Sequence, residues 1–204
     1  MAAPGRPLRA DAARNRTLIL DAARTAFAEG GLDVGVEEIA RRAGVGKGTL
    51  YRRFPTKEAL VQAIFDDILT EYETLAAEAC EQPDPGAAFA DFLDRAARMQ
   101  ATNQGFYDVV TQRLGTSALH QRQRRRFVDA AARPLRRAQE AGHVRDDLVP
   151  EDIQQMLRML GATTRPAMDG CPMDDHWPRY LGLLLDALRP GSATPLRAGP
   201  WRLA

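Results

Sequence analysis

The sequence has 204 residues, 45% of them hydrophobic and 27% charged, with a formal net charge of +1. That is enough chain to bury a sizeable core in one domain or two small ones, and no apolar run approaches the roughly 18 to 20 residues needed to cross a bilayer. The first residues lack the apolar stretch of a secretion signal, and the only cysteines, Cys80 and Cys171, lie far apart. Export and a disulfide framework are therefore set aside, and a reducing, cytoplasmic compartment without membrane association is expected.

Spacings of three and four between apolar residues dominate, which predicts an all-α chain of about nine helices. Ile19, Ala22, Ala23, Ala26 and Phe27 form the stripe of the first, stopped by Gly30 and Gly31. Val36, Ile39, Ala40 and Ala43 mark a short second helix whose first turn holds Glu37 and Glu38, where negative charge suits the peptide dipoles; Gly44 ends it through a positive φ. The third runs from about Lys47 to Phe54 with Leu50 and Phe54 inward. Pro55 stops it, and Thr56 caps a long fourth helix carrying Leu60, Ile64, Ile68, Tyr72, Leu75 and Ala79.

"QPDPG", from Gln82 to Gly86, reads as a boundary. A fifth helix follows with Phe89, Phe92, Leu93, Ala96 and Met99, and a sixth with Phe106, Tyr107, Val110 and Leu114. The seventh spans about Ser117 to Glu140, with Phe127, Ala131, Leu135 and Ala138 inward, an expected kink at Pro134 and a stop at Gly142. Pro150 suits the first position of the eighth, which carries Ile153, Met156, Leu157 and Leu160. Trp177, Tyr180, Leu181, Leu184, Leu185 and Leu188 define the ninth. Residues 1–12 are expected to form a flexible arm and 190–204 a mobile tail.

Charge is unevenly spread. Through Lys57 there are 11 basic against 6 acidic side chains, and 17 against 21 beyond it. Of the 28 basic residues only Lys47 and Lys57 are lysines, and both flank the short third helix. The glycines beside them, "GVGKGT", suggest a phosphate cradle, but that cradle needs Gly, four residues, then Gly-Lys-Ser/Thr after a buried strand. Arg41 and Gly48 occupy the required Gly and hydroxyl positions, and "VEEIARRA" has helical spacing. The nucleotide-binding enzyme is therefore the remote alternative to a helix-turn-helix, which explains each glycine separately. Gly48 is the telling one: inside a helix it costs about 1 kcal/mol relative to Ala, which makes sense where backbone must approach another surface. On a wheel Gly48 and Arg52 lie opposite Leu50, Lys47 and Tyr51 flank one side and Thr49 the other, a slim, basic face suited to a major groove.

The stretch "RNRTLILDAARTAFAEGGLDVGVEEIARRAGVGKGTLYRRFPTKEALV" resembles the DNA-binding domain of tetracycline-repressor-type (TetR-type) regulators. The matching elements are Ile19-Leu20, Ala22-Ala23, Phe27, Gly30, Ile39-Ala40, Ala43-Gly44-Val45, Gly48-Thr49-Leu50-Tyr51, Phe54, Lys57-Glu58 and Leu60. Gly35 and Gly46 depart from it, standing where the family often has Ser or Thr. The resemblance implies a DNA-binding domain over 13–72, with its helix-turn-helix at 35–54, in which Thr49 and Tyr51 touch DNA and Lys57 clamps its backbone. Physical reasoning adds Lys47 as a second phosphate contact, Arg52 as the reader of a guanine edge through its fork, and Gly46 as a helix start on the same face. Arg53 reads as a solvated charge, Arg41 and Arg42 equally as surface charges or duplex contacts, and Arg6 and Arg9 as an arm toward the minor groove.

For 73–189 the resemblance implies a helical effector-binding and dimerisation domain. Phe89, Phe92, Met99, Phe106, Tyr107 and Phe127 suit either a largely apolar pocket or plain core. His120 shares the inner stripe of its helix with Arg124, a possible partner for an anionic effector, and has no catalytic companions. Met156, Leu160, Trp177, Leu181, Leu184 and Leu188 are expected at a homodimer interface, as more apolar surface than two helices hide alone. Cys171 and His176 in "CPMDDH" read as a polar loop rather than a metal site, and no cofactor is implied. The expected whole is a ligand-responsive regulator, a repressor first and an activator or ligand-independent DNA binder second, with double-stranded DNA and a small molecule as partners.

Overall fold

The computed structural model describes residues 6–103, 105–107, 118–163, 177–192 and 194–196. Among them are eight α-helices and no strand: α1 Arg6–Gly30, α2 Val36–Arg42, α3 Lys47–Arg53, α4 Lys57–Glu81, α5 Pro85–Thr102, α6 Ala118–Glu140, α7 Pro150–Ala162 and α8 Trp177–Ala187, then a 3-10 turn at Pro190–Ser192. The fold is all-α, an N-terminal helix-turn-helix domain followed by a helical one. No helix among the described residues is long and apolar enough to cross a membrane. Of the expected sixth helix, residues 105–107 are helical and Val110 and Leu114 lie outside the described residues, as do Cys171 and His176. Among the described residues no group of side chains could hold a metal ion.

The described chain divides into two compact units, one of residues 6–67 with 105–107, the other of 68–103, 118–163, 177–192 and 194–196. The division falls inside α4, after Asp67. In the first unit α1 begins at Arg6, so the segment read as an arm holds the opening turns of a helix; Pro7 is tolerated there and Ala10, Ala12 and Ala13 favour helix. Ile19, Leu20, Ala23, Phe27, Ile39, Leu50, Leu60 and Ile64 are each at most 1% exposed and form the core. Full burial of each such large side chain is worth about 1.5–3 kcal/mol. Asp67 ties α4 to α1, accepting from Arg16 at 2.9 Å and pairing with Arg24 at 3.6 Å.

In the second unit α5 packs on α6 and α7, and α8 on α7 and α5. Asp84 caps α5 by accepting from the N–H groups of Gly86 and Ala87 at 2.9 and 3.1 Å, with Pro85 in the first turn. Arg137 on α6 donates to the carbonyls of Ala79 and Gln82, both at 2.9 Å, closing the C-terminal end of α4; Arg126 grips Glu73 through both carboxylate oxygens at 3.0 Å. The α6 helix runs unbroken through Pro134. It ends at Gly142, whose φ is +72°, with Gly142 N–H on Gln139 O and His143 N–H on Ala138 O. The start of the expected tail is tethered: Arg145 donates to Thr194 O at 2.7 Å and Leu196 N–H to Asp147 at 3.4 Å.

Candidate nucleic-acid interface

The turn between α2 and α3 follows from one residue. Gly44 takes φ +66°, and the reversal lets Gly44 N–H reach Arg41 O and Val45 N–H reach Ala40 O, the paired closing bonds of a left-handed helix terminus. Gly46, at φ −68°, is an N-cap without a side-chain bond, and α3 begins at Lys47. Leu50 at 0% and Phe54 at 6% exposure anchor the inner side of α3. With that side pinned, the periodicity sends Lys47, Gly48, Tyr51, Arg52 and Arg53 outward, and all are exposed, with Thr49 half-buried beside them.

Gly48 carries the clearest message on this face. A Cβ built on it would meet nothing within 4 Å. Its conformation is helical, so neither crowding nor a positive φ inside this chain accounts for a glycine there. The glycine leaves the outer side of α3 open to an approaching surface.

The cations differ in how far the protein already matches them. Lys47 pairs across the turn with Glu37 and lies 5.8 Å from the centre of the Tyr51 ring. The hydrogen bond from Lys47 holds the Glu37 carboxyl below its ordinary range, and the same bond raises the Lys47 ammonium. Lys57 donates to Leu32 O at 2.8 Å, which fixes the start of α4 on the loop after α1 and leaves two N–H bonds for another acceptor. Arg42 donates to Glu29 at 2.5 Å and to Glu38 at 2.7 Å, while Arg41 grips both oxygens of Glu38 at 2.8 and 2.7 Å. Arg41 and Arg42 hold the Glu38 carboxyl down at about 2. Arg42 is thus matched twice within the protein, whereas Arg52 and Arg53 have no ion-pair partner among the described residues. The pairs of Glu38 with Arg41 and Arg42 follow helical spacing, three and four positions apart, whereas Glu37 and Lys47 stand ten positions apart on two helices and carry no such signature.

The residues expected at an effector pocket separate. Phe89, Phe92, Met99 and Phe127 are buried in the second unit, joined by Tyr72, whose ring stacks on Phe127 at 3.8 Å and meets Phe92 at 5.3 Å. Phe106 and Tyr107 instead belong to the first unit, where they lie 5.1 and 6.1 Å from Phe65. Gly105 sits so close to α1 that a Cβ there would stand 2.8 Å from that of Ala28, consistent with this placement. The His120 side chain lies outside what is described. Arg124 is half-buried, donates to Gln154 at 3.1 Å, and is lowered from its ordinary pKa by burial and by Arg158. A separate open cleft of about 420 Å³ lies among Phe89, His143, Val144, Leu185, Leu188 and Arg189.

The residues expected at a dimer interface are largely covered by their own unit. Met156, Leu160, Trp177, Leu181 and Leu188 are each 8% exposed or less, and Leu184 is half-buried. The richest apolar stripe of each amphipathic helix is consumed by its own unit. Outside remain Met159 at 56%, Leu183 at 58% and Tyr180 at 41% exposure, the complementary faces of α7 and α8.

With this geometry in hand, comparison with known proteins is informative. Residues 19–64 match the family described as bacterial regulatory proteins, tetR family, and residues 84–190 match the C-terminal domain described as transcriptional regulator SbtR-like. The crystal structure of the TetR transcription regulatory protein from Mycobacterium vanbaalenii is 34% identical, with a TM-score of 0.65, over 90% of this chain and 99% of that one. HTH-type transcriptional regulator UidR of Escherichia coli (strain K12) is 37% identical over 87 residues, 42% of each chain. HTH-type transcriptional repressor KstR2 of Rhodococcus jostii (strain RHA1) is 42% identical over 67 residues, 30% of this chain and 33% of that protein. The chain thus spans less than half the length of these two curated relatives.

Proposed function

Since the chain belongs to the TetR family of bacterial transcriptional regulators, we propose that it is a ligand-responsive repressor that binds a near-palindromic operator as a homodimer and leaves it when a small molecule binds. It is a regulator, not an enzyme, and helix α2 stands where a nucleotide cradle would need a strand. The observation that carries the DNA reading is the outward face of α3, where Gly48 has open space around it beside the unmatched Arg52. In this reading Arg52 reads a guanine edge, Thr49 lies at the groove wall, Tyr51 and Lys57 take phosphates, Lys47 lies toward the backbone while paired with Glu37, and Gly46 and Gly48 let the DNA come close. Arg42 serves chiefly to hold α2 on α1.

The assignment of 13–72 to DNA and 73–189 to effector and dimer belongs to the same proposal. Repression is the favoured direction because the Rhodococcus relative of the DNA-binding part is a repressor. The aromatic cluster of Tyr72, Phe89, Phe92 and Phe127 supports an apolar effector, and the half-buried Arg124, three residues before Phe127 on α6, suits an acidic group. Met159, Tyr180 and Leu183 are the dimer face that the exposure pattern supports. The α4 helix starts in the first unit and ends in the second, so a shift of it offers a route for coupling, for which about 1–3 kcal/mol suffices. The test is a mobility shift on duplexes enriched from a random library. Tyr51→Ala and Lys57→Ala are expected to weaken binding and flatten its salt dependence; unchanged affinity and slope in both would refute the assignment.

A further inference from the structure

Glu37 has no evident place on a face meant for a polyanion. It is exposed, sits in the first turn of α2 next to Glu38, and its carboxylate reaches across the turn to Lys47. The helix dipole does not require it, since Glu38 already supplies negative charge to that turn. Both side chains stay open to water, Lys47 at 57% and Glu37 at 60% exposure, so the pair can exchange partners without unpacking anything. Lys57 also acts electrostatically on Glu37, so the carboxylate sits in the field of both lysines of the sequence.

We infer that Glu37 is a built-in competitor for the DNA backbone, matching Lys47 internally so that sequence-independent binding is weakened while base reading by Arg52 is left intact. The inference rests on the proposed DNA-binding function. A cation already neutralised by a protein carboxylate releases no counterion when it meets a phosphate, and it leaves a carboxylate facing the phosphates. Non-specific affinity comes almost wholly from phosphate neutralisation and counterion release, each full contact contributing about 0.9 to the slope of log K against log salt. Silencing one contact therefore lowers the affinity for every duplex alike and leaves the base-edge contacts untouched. Arg52 has no such partner among the described residues, and its fork remains available for bases.

The experiment is a salt titration of full-length protein on a mixed-sequence 30-base-pair duplex, which needs no knowledge of the operator. Glu37→Gln removes the charge and keeps the side chain's size. It is expected to steepen the salt slope by about 0.9 and, by 50 mM salt, to tighten binding by roughly 3- to 10-fold. Lys47→Ala is expected to change affinity less than about twofold in the wild-type background and to cancel the whole gain in the Glu37→Gln background. The ratio of affinity for a library-selected duplex to that for the mixed duplex should stay within about twofold in Glu37→Gln, because both gain the same phosphate contact. Thermal unfolding of each variant separates these effects from a loss of fold. An unchanged slope in Glu37→Gln, or an equal effect of Lys47→Ala in both backgrounds, overturns the inference while salt-dependent binding by the wild type leaves the DNA reading standing. Absence of duplex binding by wild type and variants alike overturns both.

Discussion

Replacing Gly48 by Ala should move stability and function in opposite directions. Gly48 is the second residue of α3, has helical geometry, and leaves more than 4 Å of free space around a new Cβ. In a helix interior the exchange is worth up to about 1 kcal/mol, and near an N-terminus about half of that, so the variant should be more stable by about 0.5 kcal/mol. For a chain of this length that raises the melting temperature by about 1–2 °C. If α3 enters a groove with this side foremost, the same methyl is forced into a close contact. An overpacking cost of about 1–3 kcal/mol lowers affinity by about 5- to 150-fold. Calorimetry or urea unfolding reads the first effect, fluorescence anisotropy on a library-selected duplex the second. A variant that binds as tightly as wild type would refute the reasoning that the glycine serves close approach, and a destabilised variant would refute the view that the protein tolerates a side chain there.

Three further outcomes are expected. Leu183→Glu should shift the protein toward monomer in sedimentation velocity with its helical signal intact, because Leu183 is exposed, whereas Leu160→Ala should cost about 2–5 kcal/mol of stability through a core cavity; a dimer that persists in Leu183→Glu contradicts the proposed face. Glu38 and Asp147 are held at about 2, Glu38 by Arg41 and Arg42 and Asp147 by Arg145, and Asp84 is lowered by its bonds from Ala87 and Gly86. Groups depressed in the folded state stabilise it above their unfolded pKa near 4 and lose that contribution as pH falls toward 2. The urea midpoint should therefore decline over that window, and a flat profile would show the pairs to be immaterial.

Much of this architecture was legible in the amino-acid order because its determinants are local. Positions three and four apart named the buried stripes, Gly44 and Gly142 marked left-handed helix ends, and Pro55, Thr56 and Pro150 marked stops and starts. The outward position of Gly48 and Arg52 followed from Leu50 alone. What escaped were relations between elements. Burial of Met156, Leu160 and Leu181 depends on which neighbour claims an amphipathic face first, and a stripe looks the same whether its own unit or a second copy covers it. Phe106 and Tyr107 resemble the other aromatics in type, and their packing on Phe65, with Gly105 close against Ala28, belongs to the first unit without any periodic signal for it. The partnerships of Lys47 with Glu37, Lys57 with Leu32, and Arg137 with the end of α4 join residues whose separations carry no periodic signature.

The most direct test of the central claim, that α3 lies in the major groove, is dimethyl sulfate footprinting of the full-length protein on a selected duplex, because the reagent marks guanine N7 in the major groove and adenine N3 in the minor groove. The account predicts protection of guanine N7 in two patches about 34–36 Å apart along the helix axis, with protection in each patch lost in Arg52→Ala at the guanine it reads. Binding that leaves every guanine N7 as reactive as in free DNA, or that protects only adenine N3, would contradict it.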